Sequence, residues 1–230
     1  MTDEELDALI HDCPHLYHMA MRQSWPSIQR HGLLPTSLLL DLWNVHGTQR
    51  EDMTTRRRPK SVTVLHPEHG NAVVRDQIPM HDHQLEKCLR DGLTPRDWHE
   101  KLNERVFFWL TERRLERLLC AAAYKKDEHV VLKVATASLL AKHHDRIELC
   151  PMNSGCTMPF AHPRGADTFL PIPAYPYAQW RGKRSAREAV VELTVLGGVP
   201  DIGEHVEEVT VRRCGATIKT LYSPHSDQGG

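Results

Sequence analysis

The chain has 230 residues, 40% of them hydrophobic and 26% charged, enough to bury a core as one domain and outside the range of disordered chains. Its 29 basic and 30 acidic side chains leave a formal charge of -1, which excludes a global field for polyanions, so any nucleic-acid contact must be local. No apolar run reaches membrane-spanning length, and the opening Thr2-Asp-Glu-Glu-Leu-Asp7 is acidic where a secretory signal is basic. A cytoplasmic protein with reduced thiols and no membrane partner is the expectation.

In chain order, residues 3–12 read as a short acidic helix with Leu6, Leu9 and Ile10 on one side. Leu16-Tyr-His-Met19 follows as a strand in which His18 shares a face with Leu16, while Tyr17 and Met19 point the other way. That imidazole faces either a pocket or a packed interior. Ser24 is placed to cap a helix, with Pro26 in its first turn and Gly32 as its stop. Pro35–Trp43 reads as a second helix capped by Thr36 or Ser37. Gly47–Lys60 shows no apolar period and carries Arg50, Arg56, Arg57 and Arg58, so it reads as a basic loop, either a solvated linker or a phosphate contact.

Ser61–Leu65 and Ala72–Val74 flank a His66-Pro-Glu-His-Gly70 turn and predict a hairpin or two short strands. Leu85, Cys88 and Leu89 follow helical spacing up to Gly92. Thr94-Pro-Arg-Asp97 opens the next helix with a cap, an N1 proline and an acid at the third position. Val106-Phe-Phe-Trp-Leu110 is a continuous run of β-formers and predicts the central strand. After it come a helix with Leu115, Leu118 and Leu119, a strand at Val130–Val134, a helix at Thr136–His143 and a strand at Arg146–Leu149. Cys150–Arg187 is too long and too Pro/Gly-rich for a simple connector. Ala189–Val195 predicts a late strand preceded by Glu188, and Val206–Arg212 with Thr217–Tyr222 a closing hairpin. Residues 1–225 form one domain on this reading, and 226–230 a frayed tail.

Phosphate loops, dinucleotide fingerprints, zincin helices and nucleophile elbows are absent. The six cysteines contain no Cys-x-x-Cys pair, so a zinc site at Cys150 and Cys156 has little support. The pairs His81-Asp-His83 and His143-His144 are as well explained by polar loops as by a metal.

Tyr17-His18 at an early strand, then Pro26-Ser-Ile28 to Gly32-Leu33, a central aromatic strand and a late strand beginning with an acid resemble the ADP-ribosyltransferase fold, closest to DarT-like enzymes. The specific match covers residues 16–34; elsewhere it is one of order alone. The Trp25-Pro-Ser-Ile28 start and Asp167-Thr-Phe-Leu-Pro171 also resemble an uncharacterised bacterial family, which implies no activity. The DarT resemblance implies an α/β (α+β) single domain with a split mixed/antiparallel sheet. It implies NAD as substrate, transfer of ADP-ribose to a nucleic-acid base in single-stranded DNA or RNA, a toxin or defence role, and an antitoxin or hydrolase partner. Tyr17 and His18 would contact NAD, Phe107, Phe108 and Trp109 would floor the nicotinamide pocket, and Arg75 would grip the pyrophosphate unless it serves a salt bridge. Glu188 is the first choice for the catalytic acid and Glu192 its rival, both on one strand face if the strand begins at Glu188; an exposed face would make both acids ordinary. No arginine aligns with the essential one of the DarT group. The alternatives are an RNA 2'-phosphotransferase and a non-catalytic nucleotide- or nucleic-acid-binding domain on the same scaffold.

Overall fold

A computed structural model describes residues 1–224; the tail expected at 226–230, with residue 225, lies outside the described residues. Ten strands and nine α-helices are assigned among them. Helix α1 (Asp3–Asp12) is set by a capping box in which Thr2 and Glu5 exchange hydrogen bonds. Strand β1 (His15–Met21) leads to α2 (Trp25–His31) and α3 (Thr36–Leu42). Neither Ser24 nor Thr36 nor Ser37 caps these helices with its side chain, and Pro35 rather than a hydroxyl residue stands at the α3 cap.

Residues 47–55 differ from the loop expected there: they form α4 (Gly47–Thr55). The helix carries only one buried apolar side chain, Met53, so its sequence shows no apolar stripe. It is held instead by polar contacts, Arg50 to Asp41, Arg96 to Glu51, and Asn103 Nδ2 donating to the Thr54 carbonyl at 2.9 Å. Strands β2 (Val62–His66) and β3 (Gly70–Val74) make the predicted hairpin as a separate sheet. Helices α5 (Asp82–Cys88) and α6 (Pro95–Asn103) follow, the second with the predicted Thr94–Asp97 capping box.

Strand β4 (Arg105–Trp109), α7 (Glu112–Leu119), β5 (His129–Ala135), α8 (Thr136–His143) and β6 (Ile147–Cys150) match the predicted order. The long segment after Cys150 holds β7 (Leu170–Pro171), α9 (Tyr177–Lys183) and a 3-10 turn at Ala186–Glu188. Strand β8 spans Glu192–Leu196, and β9 (Val206–Arg213) with β10 (Ala216–Tyr222) forms the closing hairpin.

The large sheet has the order β10-β9-β5-β1-β4-β8-β6-β7, and every pairing in it is antiparallel; the mixed alternative is not adopted. β1 and β4 lie at its centre, as the apolar run at 106–110 predicts. They share a single register pair, Tyr17 with Trp109, whereas β1 pairs with β5 along its whole length and β4 with β8 along its own. The sheet therefore opens along the β1–β4 seam. One face packs Leu16, Ala20 and Phe108 against α1, α2 and α8; the other packs Tyr17 and Met19 against Leu115 and Leu119 of α7.

The six thiols are not all free. Cys120 and Cys214, 94 residues apart, form a disulfide between the end of α7 and the β9–β10 turn. The two are far apart in sequence, so only the fold brings them together. No helix among the described residues is long and apolar enough to cross a membrane.

Candidate active site

The opened seam becomes the mouth of a cavity of about 330 Å³, closed from the other sides by α2, the β2–β3 hairpin and the turn at 153–155. His18, Arg75, Phe107, Trp109 and Glu192 line it. Tyr17, Phe108 and Glu188 do not. Tyr17 turns to the α7 side of the sheet and Phe108 into the main core, because alternation along a strand sends neighbours to opposite faces.

The two acids are separated by where the strand begins. Ala189, Val190 and Val191 are fully buried but run as a loop, and ladder pairing starts only at Glu192, opposite Trp109 and Cys150. Glu188 sits on the preceding 3-10 turn and pairs with Arg114. The first choice of acid is thus outside the cavity, and the rival, four residues on, is inside it.

Glu192 is only 4% exposed, and its Oε2 accepts from Ser154 N at 3.1 Å and Ser154 Oγ at 2.7 Å. Burial pushes its pKa up to about 7, against the downward pull of the two Ser154 bonds and of Arg114 and Arg164. Such a carboxyl exchanges its proton near neutral pH, as a general base must. Ser154 is held by Arg164, which is fully buried and donates to three carbonyls, those of Ser154 (2.7 Å), Cys156 (2.9 Å) and His162 (3.1 Å). Trp98 lies beneath that guanidinium, 5.7 Å from ring centroid to Cζ. Sequence reasoning missed both residues. Asn153-Ser-Gly155 stands out as a turn, but no sequence signal ties it to an acid on a strand that follows only after α9.

His18 bridges the seam: its Nδ1 lies 2.8 Å from the Phe107 carbonyl. A carbonyl only accepts, so Nδ1 carries the proton and Nε2 is left as an acceptor. Burial drives the pKa down to about 4, more than the Phe107 bond raises it, with Arg75 adding to the fall. The ring is neutral at pH 7.

Arg75 follows β3 and reaches over the ring of Tyr124, with Cζ 5.0 Å from the centroid. Its Nη1 makes one long bond to the Met19 carbonyl (3.3 Å), and its Nε is buried without a partner. No carboxylate comes within ion-pair distance of it among the described residues; burial lowers its pKa, partly offset by Tyr124 and Asp76. Arg58, from the stretch expected to be a loop, is buried against the same cavity. It donates to the carbonyl of Arg75 (2.8 Å) and to Asn103 Oδ1 (3.0 Å), both neutral. Asp76 is engaged by Tyr124 Oη at 2.5 Å and Ser61 Oγ at 3.0 Å. The cavity thus holds two buried guanidinium groups that meet no carboxylate directly, an arrangement that favours an anionic ligand.

Among the described residues, neither His81 with His83 nor His143 with His144 gathers three metal-ligating side chains as a pair. His143 instead meets Asp201 and His205, with ligand atoms within 4.8 Å of one another. Both nitrogens of His143 are engaged, Nε2 with Asp201 (2.8 Å) and Nδ1 with Arg146 (2.6 Å), so the group braces the turn before β9 by hydrogen bonds. That turn seats the His31-Gly32-Leu33 motif. Leu33 bridges to Val199, and Gly32, at φ 80°, approaches Pro200 so closely that a Cβ would lie 2.4 Å from its Cα.

Residues 14–206 match the model of DUF7002, a family of unknown function, and the chain belongs to that family. The match runs from the residue before β1 to the first residue of β9 and includes His18, Arg75, Ser154 and Glu192. No curated protein matches the chain.

Proposed function

We propose that the protein cleaves the nicotinamide glycosidic bond of NAD and transfers ADP-ribose to an acceptor. The observation that carries this reading is the meeting of a neutral imidazole, a buried carboxyl and a guanidinium without a carboxylate ion pair in one cavity at the seam of a split sheet. The aromatic side chains of Phe107 and Trp109 supply a wall for the nicotinamide ring. Arg75 holds the pyrophosphate, which satisfies a donor that is otherwise buried unpaired. His18 Nε2 accepts from a ribose hydroxyl and fixes the sugar.

When the bond from ribose C1' to the nicotinamide nitrogen breaks, its electron pair leaves with nicotinamide and C1' becomes cationic. The ionised Glu192 stabilises that charge, and Ser154 fixes the carboxylate where the charge develops. The acceptor then forms a bond to C1', and its proton passes to the Glu192 carboxylate.

The test follows free nicotinamide and label transfer from NAD, with protein, RNA and single-stranded DNA as separate acceptor pools. Wild type should release nicotinamide, Glu192→Gln should lose about 100-fold or more, and Glu188→Gln should keep most of the rate. Equal release by wild type and Glu192→Gln refutes the reading. NAD binding without release points instead to the non-catalytic binding domain.

A further inference from the structure

Away from the cavity, one buried polar group is left incomplete. His143 closes α8, while Asp201 and His205 stand at either end of the 3-10 turn Ile202–Glu204 that leads into β9. None of the three lines the cavity that holds Glu192. His143 Nε2 lies 2.8 Å from Asp201 Oδ1, and His205 Nε2 lies 3.6 Å from Asp201 Oδ2. The first contact is a hydrogen bond and the second is too long to be one. His205 is only 4% exposed, so its Nε2 is a buried polar atom without a partner, which is costly to keep.

The surroundings of that atom have the geometry of a ligand set. His205 Nδ1 is 2.7 Å from Ser138 Oγ of α8; with that nitrogen donating to the hydroxyl, Nε2 presents a lone pair toward Asp201. A lone pair facing a carboxylate oxygen is repulsive unless a cation lies between them. Two atoms each bound about 2.0–2.1 Å from a tetrahedral ion stand about 3.3 Å apart, close to the 3.6 Å found here. All three ligand atoms lie within 4.8 Å of one another, so closing on an ion takes side-chain shifts on the order of 1 Å. The Ser138 bond is the outer contact that aims a metal-bound imidazole and fixes its tautomer. Two imidazoles and one carboxylate select a transition ion such as Zn²⁺ over Mg²⁺ and Ca²⁺, which take oxygen shells. The Asp201 side chain is 18% exposed where the two histidines are nearly covered, and it gives an ion its way in.

We infer that His143 Nε2, the Asp201 carboxylate and His205 Nε2 bind one divalent transition-metal ion of the Zn²⁺ type, with water in the fourth position on the Asp201 side. In the hydrogen-bonded arrangement His143 carries its proton on Nε2, because Nδ1 accepts from Arg146 Nη2 at 2.6 Å. Loading moves that proton to Nδ1 and puts the ion on Nε2. Arg146 then gives up the His143 contact and keeps Nη1 on the carbonyls of Leu196 (2.9 Å) and Gly198 (2.8 Å). The ion ties the end of α8 to the turn on which Val199 bridges Leu33. Its role is structural and does not depend on the transfer of ADP-ribose.

The test takes the full chain, freed of metal by dialysis against a chelator, and titrates it with Zn²⁺, Mg²⁺ and Ca²⁺ in a calorimeter. The expected result is one equivalent of Zn²⁺, no binding of Mg²⁺ or Ca²⁺, and a Tm that rises with Zn²⁺ concentration. His205→Gln and Asp201→Asn should each weaken Zn²⁺ by about 100-fold or more, and Ser138→Ala by about tenfold. His83→Gln, which changes an exposed histidine, should bind as wild type does. Co²⁺ added to the wild type gives a readout that does not depend on whether any variant folds: intense tetrahedral d–d bands without thiolate charge transfer. Wild-type Zn²⁺ affinity in His205→Gln, a Co²⁺ spectrum with thiolate bands, equal affinity for Mg²⁺, or no stoichiometric site overturns the inference. None of these results alters the expectation for nicotinamide release.

Discussion

Glu192→Gln should make the protein more stable in base while removing its activity, and the size of the effect follows from burial. In the unfolded chain this carboxyl titrates near 4.5, and in the folded protein near 7. A folded pKa above the unfolded one means that the native state favours the protonated form. Its contribution is complete below pH 4.5 and is lost as pH rises through about 7. The interval is worth about 3 kcal/mol as a ceiling, since one pK unit is about 1.4 kcal/mol. Glutamine keeps an acceptor for Ser154 N and Oγ but never ionises. Urea unfolding followed by tryptophan fluorescence at pH 4.5, 6 and 8 should therefore show the variant equal to wild type in acid and up to about 3 kcal/mol more stable at pH 8. His18 works with the opposite sign. Its pKa is lowered to about 4, so its contribution is present above 6.5 and lost as pH falls toward 4. Both proteins contain His18, so that slope cancels in their difference. A difference that does not change with pH, or a variant less stable at pH 8, would refute the account of Glu192 as a buried, desolvated carboxyl.

In the proposed mechanism only the ionised Glu192 stabilises the cation at C1', so the pH profile of kcat/KM for nicotinamide release should rise with an apparent pKa near 7; a rate that is flat from pH 5 to 8 contradicts this. Arg75→Met should raise KM for NAD by about tenfold or more while leaving Tm unchanged or higher, because it removes a buried charge that has no carboxylate partner. A lower Tm with unchanged KM would make Arg75 structural. Gly32→Ala should cost about 2–4 kcal/mol in denaturant unfolding, combining a positive φ with a Cβ driven into the Pro200 backbone; a loss under about 1 kcal/mol would mean that the 197–200 turn yields. Cys214→Ser should lower stability by about 2–4 kcal/mol, since it opens a loop of 94 residues, and a reductant should then have no further effect on unfolding.

Much of the fold is legible in the sequence where local chemistry and burial agree. Thr94-Pro-Arg-Asp97 states a helix start by itself, and the β-former run from Val106 names the central strand, because a strand covered on both faces reads as a near-continuous apolar run. Helix α4 is not legible, since its stability comes from Asp41, Glu51 and Asn103, and the contacts to Arg96 and Asn103 of α6 are invisible at short range. The late strand shows the same limit at finer scale. Ala189-Val-Val191 has the composition of a strand, but those residues are buried as a loop, and the ladder waits for Glu192 to face Trp109 and Cys150.

For the site, sequence alone determined that an imidazole would sit on an early strand and that aromatic residues would line the middle of a sheet; that an acid of the late strand stands near them was implied only by the family resemblance. The first two follow from residue type and alternation, which act over a few positions. Only the tertiary structure decided which acid enters the cavity, that Ser154 and Arg164 hold it, and that Arg75 and Arg58 lie buried without carboxylates. Each of those outcomes depends on where distant segments meet along the β1–β4 seam, and desolvation, which sets the chemistry of Glu192 and His18, exists only after they have met.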